Sequence, residues 1–189
     1  METIFLTELE KEYSELIETG RIQIVEDVQK HTSKQFSYKY PLYFTGNIRS
    51  KIVLVNFNSQ KEYLYNENQP VDFNTYKFIC QNLGKVFYGE NTVRFESNFS
   101  ADMRMLTYIK PFQVIRFTNS SIQKDLQKFT DEKLELDMVP YLSSDFSIKD
   151  FMNSYEICKP FIERLLHGIL AYPRQYVIFI GNSFNRLLA

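Results

Sequence analysis

The sequence predicts an α/β fold of three layers, α/β/α, around a short central parallel sheet, and three observations predict it. Ile52-Val53-Leu54-Val55, Leu134-Glu135-Leu136-Asp137-Met138-Val139 and Tyr176-Val177-Ile178-Phe179-Ile180 are short runs rich in β-branched and aliphatic residues, as strands covered on both faces require. Each run is halted by polar or small residues or by proline, such as Pro140 and Gly181. Segments of helical period fill the intervals, and strands alternating with helices imply right-handed crossovers between parallel strands.

Bulk properties bound the reading. A chain of 189 residues is expected to be one domain, since a domain averages ~150 residues. With 44% apolar and 16% aromatic residues, it is too hydrophobic for a disordered chain. Its apolar runs fall short of the ~18 residues a membrane span needs. Met1-Glu2-Thr3-Ile4 opens no basic-then-apolar signal sequence, so a cytoplasmic protein without a membrane partner is expected. A net charge of −1 supplies no global field for a polyanion, so any nucleic-acid contact has to come from a local patch.

The elements follow in order. Phe5, Leu9, Tyr13, Leu16 and Ile17 recur at helical spacing and predict an opening helix that stops at Gly20. A polar stretch through His31 and Lys34-Gln35 leads to an aromatic segment, Tyr38 to Phe44, closed by a turn at Thr45-Gly46-Asn47. The first strand is Ile52–Val55. Asp72 is placed to cap a helix from Phe73 to Leu83, Ser100 a helix ending near Lys110 before Pro111, and Ser121 a short helix carrying Leu126 and Phe129. The second strand then runs to Pro140. Ser147 and Asp150 form a capping box that opens a long amphipathic helix, which Pro160 is expected to kink or divide. The third strand closes the series.

In open α/β sheets, ligands bind beyond the carboxyl ends of the strands. Those ends are Asn56-Phe57-Asn58-Ser59-Gln60, Asp137 to Ser144, and Gly181-Asn182-Ser183, all rich in hydrogen-bonding side chains that also favour turns and caps. Metal and cofactor sites are not expected. Cys80 and Cys158 are too isolated for a metal or disulfide framework and read as buried small hydrophobes. His31 reads as a surface residue and His167 as a packing or capping residue on the long helix, and neither has ligand spacing. The six glycines form no phosphate-cradling loop.

From about Pro41 onward the residues resemble the uracil-DNA glycosylase superfamily. Tyr43-Phe44-Thr45-Gly46-Asn47 before Lys51-Ile52-Val53-Leu54-Val55 is similar to that family's aromatic-Gly-Asn lead-in to its first strand. The stretch Asn56 to Gln60 takes the place of the family's Gly-x-Asn-Pro-Gly, with Asn58 on the Asn and Asn56, Ser59 and Gln60 in place of Gly, Pro and Gly. Asp137 stands where an Asn commonly reads the pyrimidine edge, and Tyr176 to Asn182 is similar to a later strand-Gly segment.

The resemblance implies a uracil-DNA glycosylase-like fold and an N-glycosidic hydrolase acting in DNA repair. Asn58 would be its catalytic residue, orienting water. Asp137, Tyr63 and Asn182 would contact the base, with no metal and no cofactor. Asp137 departs from the family, because an ionised carboxylate only accepts hydrogen bonds and suits a donor-bearing base edge. The family's final strand and His-Pro-Ser loop fall beyond Ala189, so the domain spanning 1–189 is expected to lack them. Glu62 and Asp145 are further carboxylates near strand ends, Tyr65 a further aromatic, and Lys61, Arg174 and Arg186 candidate phosphate contacts. The expected partner is DNA or a nucleobase. The alternatives are a catalytically silent glycosylase-fold protein that binds nucleic acid, and a protein-interaction module.

Overall fold

The structure, a computed structural model, describes residues 2–38, 41–58, 72–88, 96–118, 121–143, 145–181 and 184. The opening helix α1 (Glu2–Thr19) buries Phe5, Leu9, Tyr13 and Leu16 along one face, while Ile17 at the margin of that stripe is 41% exposed. Gly20 ends it with φ +70. The polar stretch that follows is a helix, α2 (Gln23–Thr32), which sequence reasoning left unassigned. Its only buried anchors are Val25 and Val28, too sparse a stripe to stand out among charged residues. His31 is exposed in its last turn.

Strand β1 (Phe44–Gly46) precedes β2 (Ile52–Asn56), and α3 (Phe73–Gln81) is capped by Asp72, whose side chain accepts from the Thr75 amide at 2.9 Å. Then come α4 (Leu83–Tyr88) and α5 (Glu96–Ile109). Helix α5 begins before Ser100, so that residue lies inside the helix and is not its cap. A 3-10 turn over Lys110–Phe112 absorbs Pro111, where a proline is tolerated because the first-turn amides of a helix lack partners anyway. Ser121 caps α6 (Ile122–Glu132), and β3 (Leu134–Asp137) follows. The Ser147/Asp150 capping box is present and opens α7 (Ile148–Asn153). The break before α8 (Tyr155–Leu170) falls at Ser154 and not at Pro160, which sits within α8. Pro160 is exposed, so water can serve the carbonyl that its missing N–H leaves free. Strand β4 (Tyr176–Ile180) ends at Gly181, where φ is +97.

The sheet order is β1-β3-β2-β4. The three anticipated strands are parallel, β2 lying between β3 and β4. The sheet is nonetheless mixed, because β1 joins β3 antiparallel with Phe44 opposite Leu136. Three residues closed by a turn carry too little period-2 pattern to be read as a strand. The Thr45-Gly46-Asn47 turn has a steric reason: a Cβ on Gly46, whose φ is +83, would lie 1.9 Å from the Lys133 carbonyl oxygen. Only glycine lets the chain approach the start of β3 so closely.

Side chains of β2 alternate between two apolar clusters. Val53 and Val55 join Leu134, Leu136 and the buried faces of α1, α3 and α8, whereas Ile52 and Leu54 join Leu106 and Ile109 of α5 and Leu126 and Phe129 of α6. All four are at most 1% exposed, as expected of a strand covered on both faces.

Candidate functional site

The carboxyl ends of β2 and β3 lie side by side. Asn56 pairs with Asp137, and the ladder runs on past both strands: the Met138 amide donates to the Asn56 carbonyl and the Val139 amide to the Phe57 carbonyl, each at 2.9 Å. Phe57 anchors the end of β2 by stacking on Phe146 at 6.2 Å and meeting Phe151 edge-on. Asn58 therefore leaves the sheet from a fixed base. Its Nδ2 donates to the Tyr141 carbonyl at 3.1 Å, and its Oδ1 is buried with no hydrogen-bond partner among the described residues. Asp137, 5% exposed, closes β3 beside it. The predicted Asn58 thus lies two residues beyond the β2 residue that pairs with the predicted Asp137. Tyr63 and Asn182, the other predicted base contacts, lie outside the described residues, as do Lys61, Glu62, Tyr65 and Arg186.

Sequence reasoning missed a polar strip behind these two residues. Leu54 and Asn56 face Glu135 and Asp137 across the β2–β3 pair. The Asn56 Nδ2 donates to Glu135 Oε1 at 2.6 Å, Lys133 forms a short ion pair with Glu135, and Thr45 donates to the same carboxylate at 3.5 Å. The side chains of Lys133 and Glu135 are 6% and 11% exposed. Charges so far from water persist only when paired and hydrogen-bonded. The signal was in the sequence: Glu135 and Asp137 are charged residues two apart in a run that otherwise reads as buried strand.

A second network lies on the other side of Tyr141. Arg164 Nη1 donates to both carboxylate oxygens of Glu12, at 2.7 and 2.8 Å, joining α8 to α1. The Tyr141 hydroxyl donates to Glu12 and lies 2.8 Å from the Tyr43 hydroxyl. Burial, followed by the nearby Glu12 carboxylate, drives the Tyr43 hydroxyl well above the ordinary range for ionisation. Burial, then Tyr43 and Glu12, does the same to Tyr141. Burial works against the Arg164 charge, but Glu12 and the two phenols outweigh it and raise its pKa. Both tyrosines are neutral, so the cluster holds one cation and one carboxylate.

The remaining candidates are structural. The Arg174 guanidinium donates to the carbonyls of Ile169, Ile48, Ser50 and Gly168, and burial lowers its pKa. It therefore acts as a clamp within the fold, contrary to the expected phosphate contact. Asp145 is exposed and pairs with Lys34 at 3.7 Å. His167 pairs with Glu8 of α1 at 2.8 Å. Cys80 and Cys158 are buried free thiols. No cluster of metal-ligating side chains occurs among the described residues, and no helix among them is long and apolar enough to cross a membrane.

Among the described residues, surface cavities of about 260 and 300 Å³ are lined by Glu10, Tyr13, Asp72 and Phe73 and by Leu6, Arg49, Lys77 and Gln81. Neither reaches Asn58 or Asp137. No protein-family model, no curated protein and no solved structure matches this chain.

Proposed function

We propose that the chain is a glycosylase-like protein that binds a damaged or deaminated nucleobase at the carboxyl ends of β2 and β3 and hydrolyses its N-glycosidic bond. The observation that carries this reading is that Asp137 and Asn58 lie at the carboxyl ends of adjacent parallel strands, Asn58 two residues beyond the partner of Asp137, the position at which open α/β sheets hold ligands. The distribution of β2 side chains between two apolar clusters supports a three-layer arrangement of the glycosylase-like kind.

In this reading the buried Asn58 Oδ1 accepts a proton-bearing bond from water and aims the water oxygen at the sugar C1′. That oxygen bonds C1′, the N-glycosidic bond breaks with its electron pair going to the base, and the water's proton passes to solvent. Asp137 holds the base by accepting from its edge. The fixed acceptor contributes by orientation, which supplies rate without strong acid or base chemistry.

The test is a glycosylase assay on single- and double-stranded DNA carrying uracil, other deaminated bases or mismatches, run beside an Asn58→Ala, Asp137→Ala double variant. Abasic sites made by the wild type alone support the proposal. If the folded wild type excises no base, hydrolysis is refuted. Retained binding of a nucleoside would then leave the silent, nucleobase-binding reading. Loss of binding as well would favour a protein-interaction role, for which the exposed Leu166 and Leu170 of α8 offer a surface.

A further inference from the structure

We infer that the cavity of about 300 Å³ between α1, the β1–β2 turn and α3 is an anion site that takes a phosphoryl group, as free phosphate or as a small phosphate ester. This site is separate from the proposed nucleobase site. Gly46 pairs with Leu134 at the start of β3, so the turn that follows sits at the amino ends of the parallel strands, whereas Asn58 and Asp137 lie at their carboxyl ends. The cavity is lined by Leu6 of α1, by Asn47, Ile48 and Arg49 of the turn, and by Lys77 and Gln81 of α3. The polar members are two cations and two amides, with no carboxylate. Lys77 and Gln81 stand four residues apart on α3, the spacing that puts side chains on one helix face. Both are half-buried, and neither makes a side-chain hydrogen bond or ion pair among the described residues. A half-buried ammonium facing an amide gains most from a ligand that brings negative charge and acceptors.

The turn supplies donors from a fixed frame. Asn47 Oδ1 accepts from the Arg49 amide at 2.9 Å, so the other end of that side chain is Nδ2, which can only donate. The Asn47 carbonyl accepts from the Ser50 amide at 2.9 Å, and the Arg174 guanidinium holds the carbonyls of Ile48 and Ser50. Arg49 is itself held by Tyr172: its Nε donates to the tyrosine hydroxyl at 3.0 Å and its guanidinium lies 5.5 Å from the ring centroid, with Arg174 against the same ring at 5.7 Å. A side chain ordered in advance loses less freedom when a ligand arrives. The carboxyl end of α3 opposes an anion with about half a negative charge, which the full positive charges of Arg49 and Lys77 outweigh. A phosphoryl group fits this lining better than a carboxylate, because it offers three acceptor oxygens to donors that come from two separate elements. The volume is at the small end for ligand pockets, enough for that group and a few carbons beside Leu6.

The experiment is calorimetric titration of the folded full chain, at low salt, with inorganic phosphate and with glycerol 3-phosphate, beside Lys77→Met, Asn47→Asp and Lys149→Met. Lys77→Met removes the ammonium and keeps an apolar stem. Asn47→Asp keeps the acceptor for the Arg49 amide and puts a negative charge where the donor stood. Lys149, exposed on α7, does not line the cavity and controls for loss of charge alone. The expected result is saturable single-site binding of a phosphoryl probe, about tenfold weaker in Lys77→Met and in Asn47→Asp and unchanged in Lys149→Met, with thermal midpoints in phosphate-free buffer close to wild type. Binding of inorganic phosphate alone assigns the free ion, and binding of glycerol 3-phosphate assigns a phosphate ester. No saturable binding of either probe by the folded wild type overturns the inference, as does unchanged affinity in Lys77→Met and Asn47→Asp or an equal loss in all three variants. Neither probe carries a base, so that failure leaves the nucleobase reading standing.

Discussion

The Glu12–Arg164 pair offers the sharpest quantitative test, because its environment makes single and double replacements diverge. Arg164 and Glu12 side chains are 8% and 18% exposed, and Arg164 Nη2 is buried with no hydrogen-bond partner among the described residues. Taking Glu12→Met leaves a guanidinium in the core facing two phenols, and Arg164→Met leaves a carboxylate there. Either orphaned charge costs about 3–5 kcal/mol, a large share of the ~5–15 kcal/mol by which a domain is stable. In urea, with a slope of about 2–3 kcal/mol per molar for a domain of this size, each midpoint drops by about 1–2.5 M. The double replacement removes both charges, and the two tyrosine hydroxyls, 2.8 Å apart, still satisfy one another. It is expected to lie within about 2 kcal/mol of wild type, so the two changes couple by several kcal/mol. Equilibrium urea unfolding of all four proteins reads this directly. Single losses that simply add in the double variant, within ~0.5 kcal/mol, would show that the pair is not an enclosed unit and refute the account of the network.

Other outcomes are equally specific. Gly46→Ala adds a carbon 1.9 Å from the Lys133 oxygen on top of a φ of +83 and should yield no soluble folded protein. Gly20→Ala, at φ +70 with nothing within 4 Å, carries only the left-handed backbone cost of about 1–2 kcal/mol, read from thermal midpoints. Asp72 and Asp150 have pKa values lowered from 3.8 by bonds from Thr75 and Ser147. Their contribution is therefore complete above 3.8 and is lost as pH falls through the lowered values; Asp72→Asn and Asp150→Asn should flatten that acid limb in denaturation curves. Asp131 has the opposite sign, since burial raises its pKa. Its stabilisation is present below 3.8 and is lost as pH rises through the raised native value, so Asp131→Asn should gain more against wild type at pH 7 than at pH 3. Burial pushes the thiols of Cys80 and Cys158 up to about 12 and about 11. Neither should react with a disulfide reagent at pH 8 until the protein is unfolded, as absorbance of the released thiolate would report.

The strands were legible because β2 and β4 are continuous apolar runs and β3 carries apolar residues at alternate positions, each ended by polar or small residues or proline, and three caps, Asp72, Ser121 and Ser147, were legible because their chemistry is local. The misassigned features depend on distant partners. Strand β1 exists because β3 accepts it, and α2 is held by two valines against a core built elsewhere. The break at Ser154 competes with a proline that carries the stronger local signal but faces water. At the candidate site, Asn58 and Asp137 could be placed from their positions after strands. The charges of Glu135 and Asp137 marked a polar strip, but its partners Lys133 and Asn56 and the Tyr141 carbonyl could not be placed, because each is defined by a side-chain, cross-strand or loop contact.

The placement of β2 between β3 and β4 has a consequence for synthesis. The most deeply buried strand is made early, yet its neighbours, paired through Leu134 and Tyr176, emerge from the ribosome only after most of the chain. Until then Ile52 to Val55 is an apolar ribbon with both hydrogen-bonding edges open, the kind of segment that chaperones shield and that nascent chains mispair. The Arg174 clamp, which grips carbonyls at Ile48 and Ser50 on one side of the gap and at Gly168 and Ile169 on the other, then fastens the late-arriving strand beside the early one. Folding of this chain is thus expected to wait for translation to pass β4, whose ladder with β2 a single side chain then reinforces.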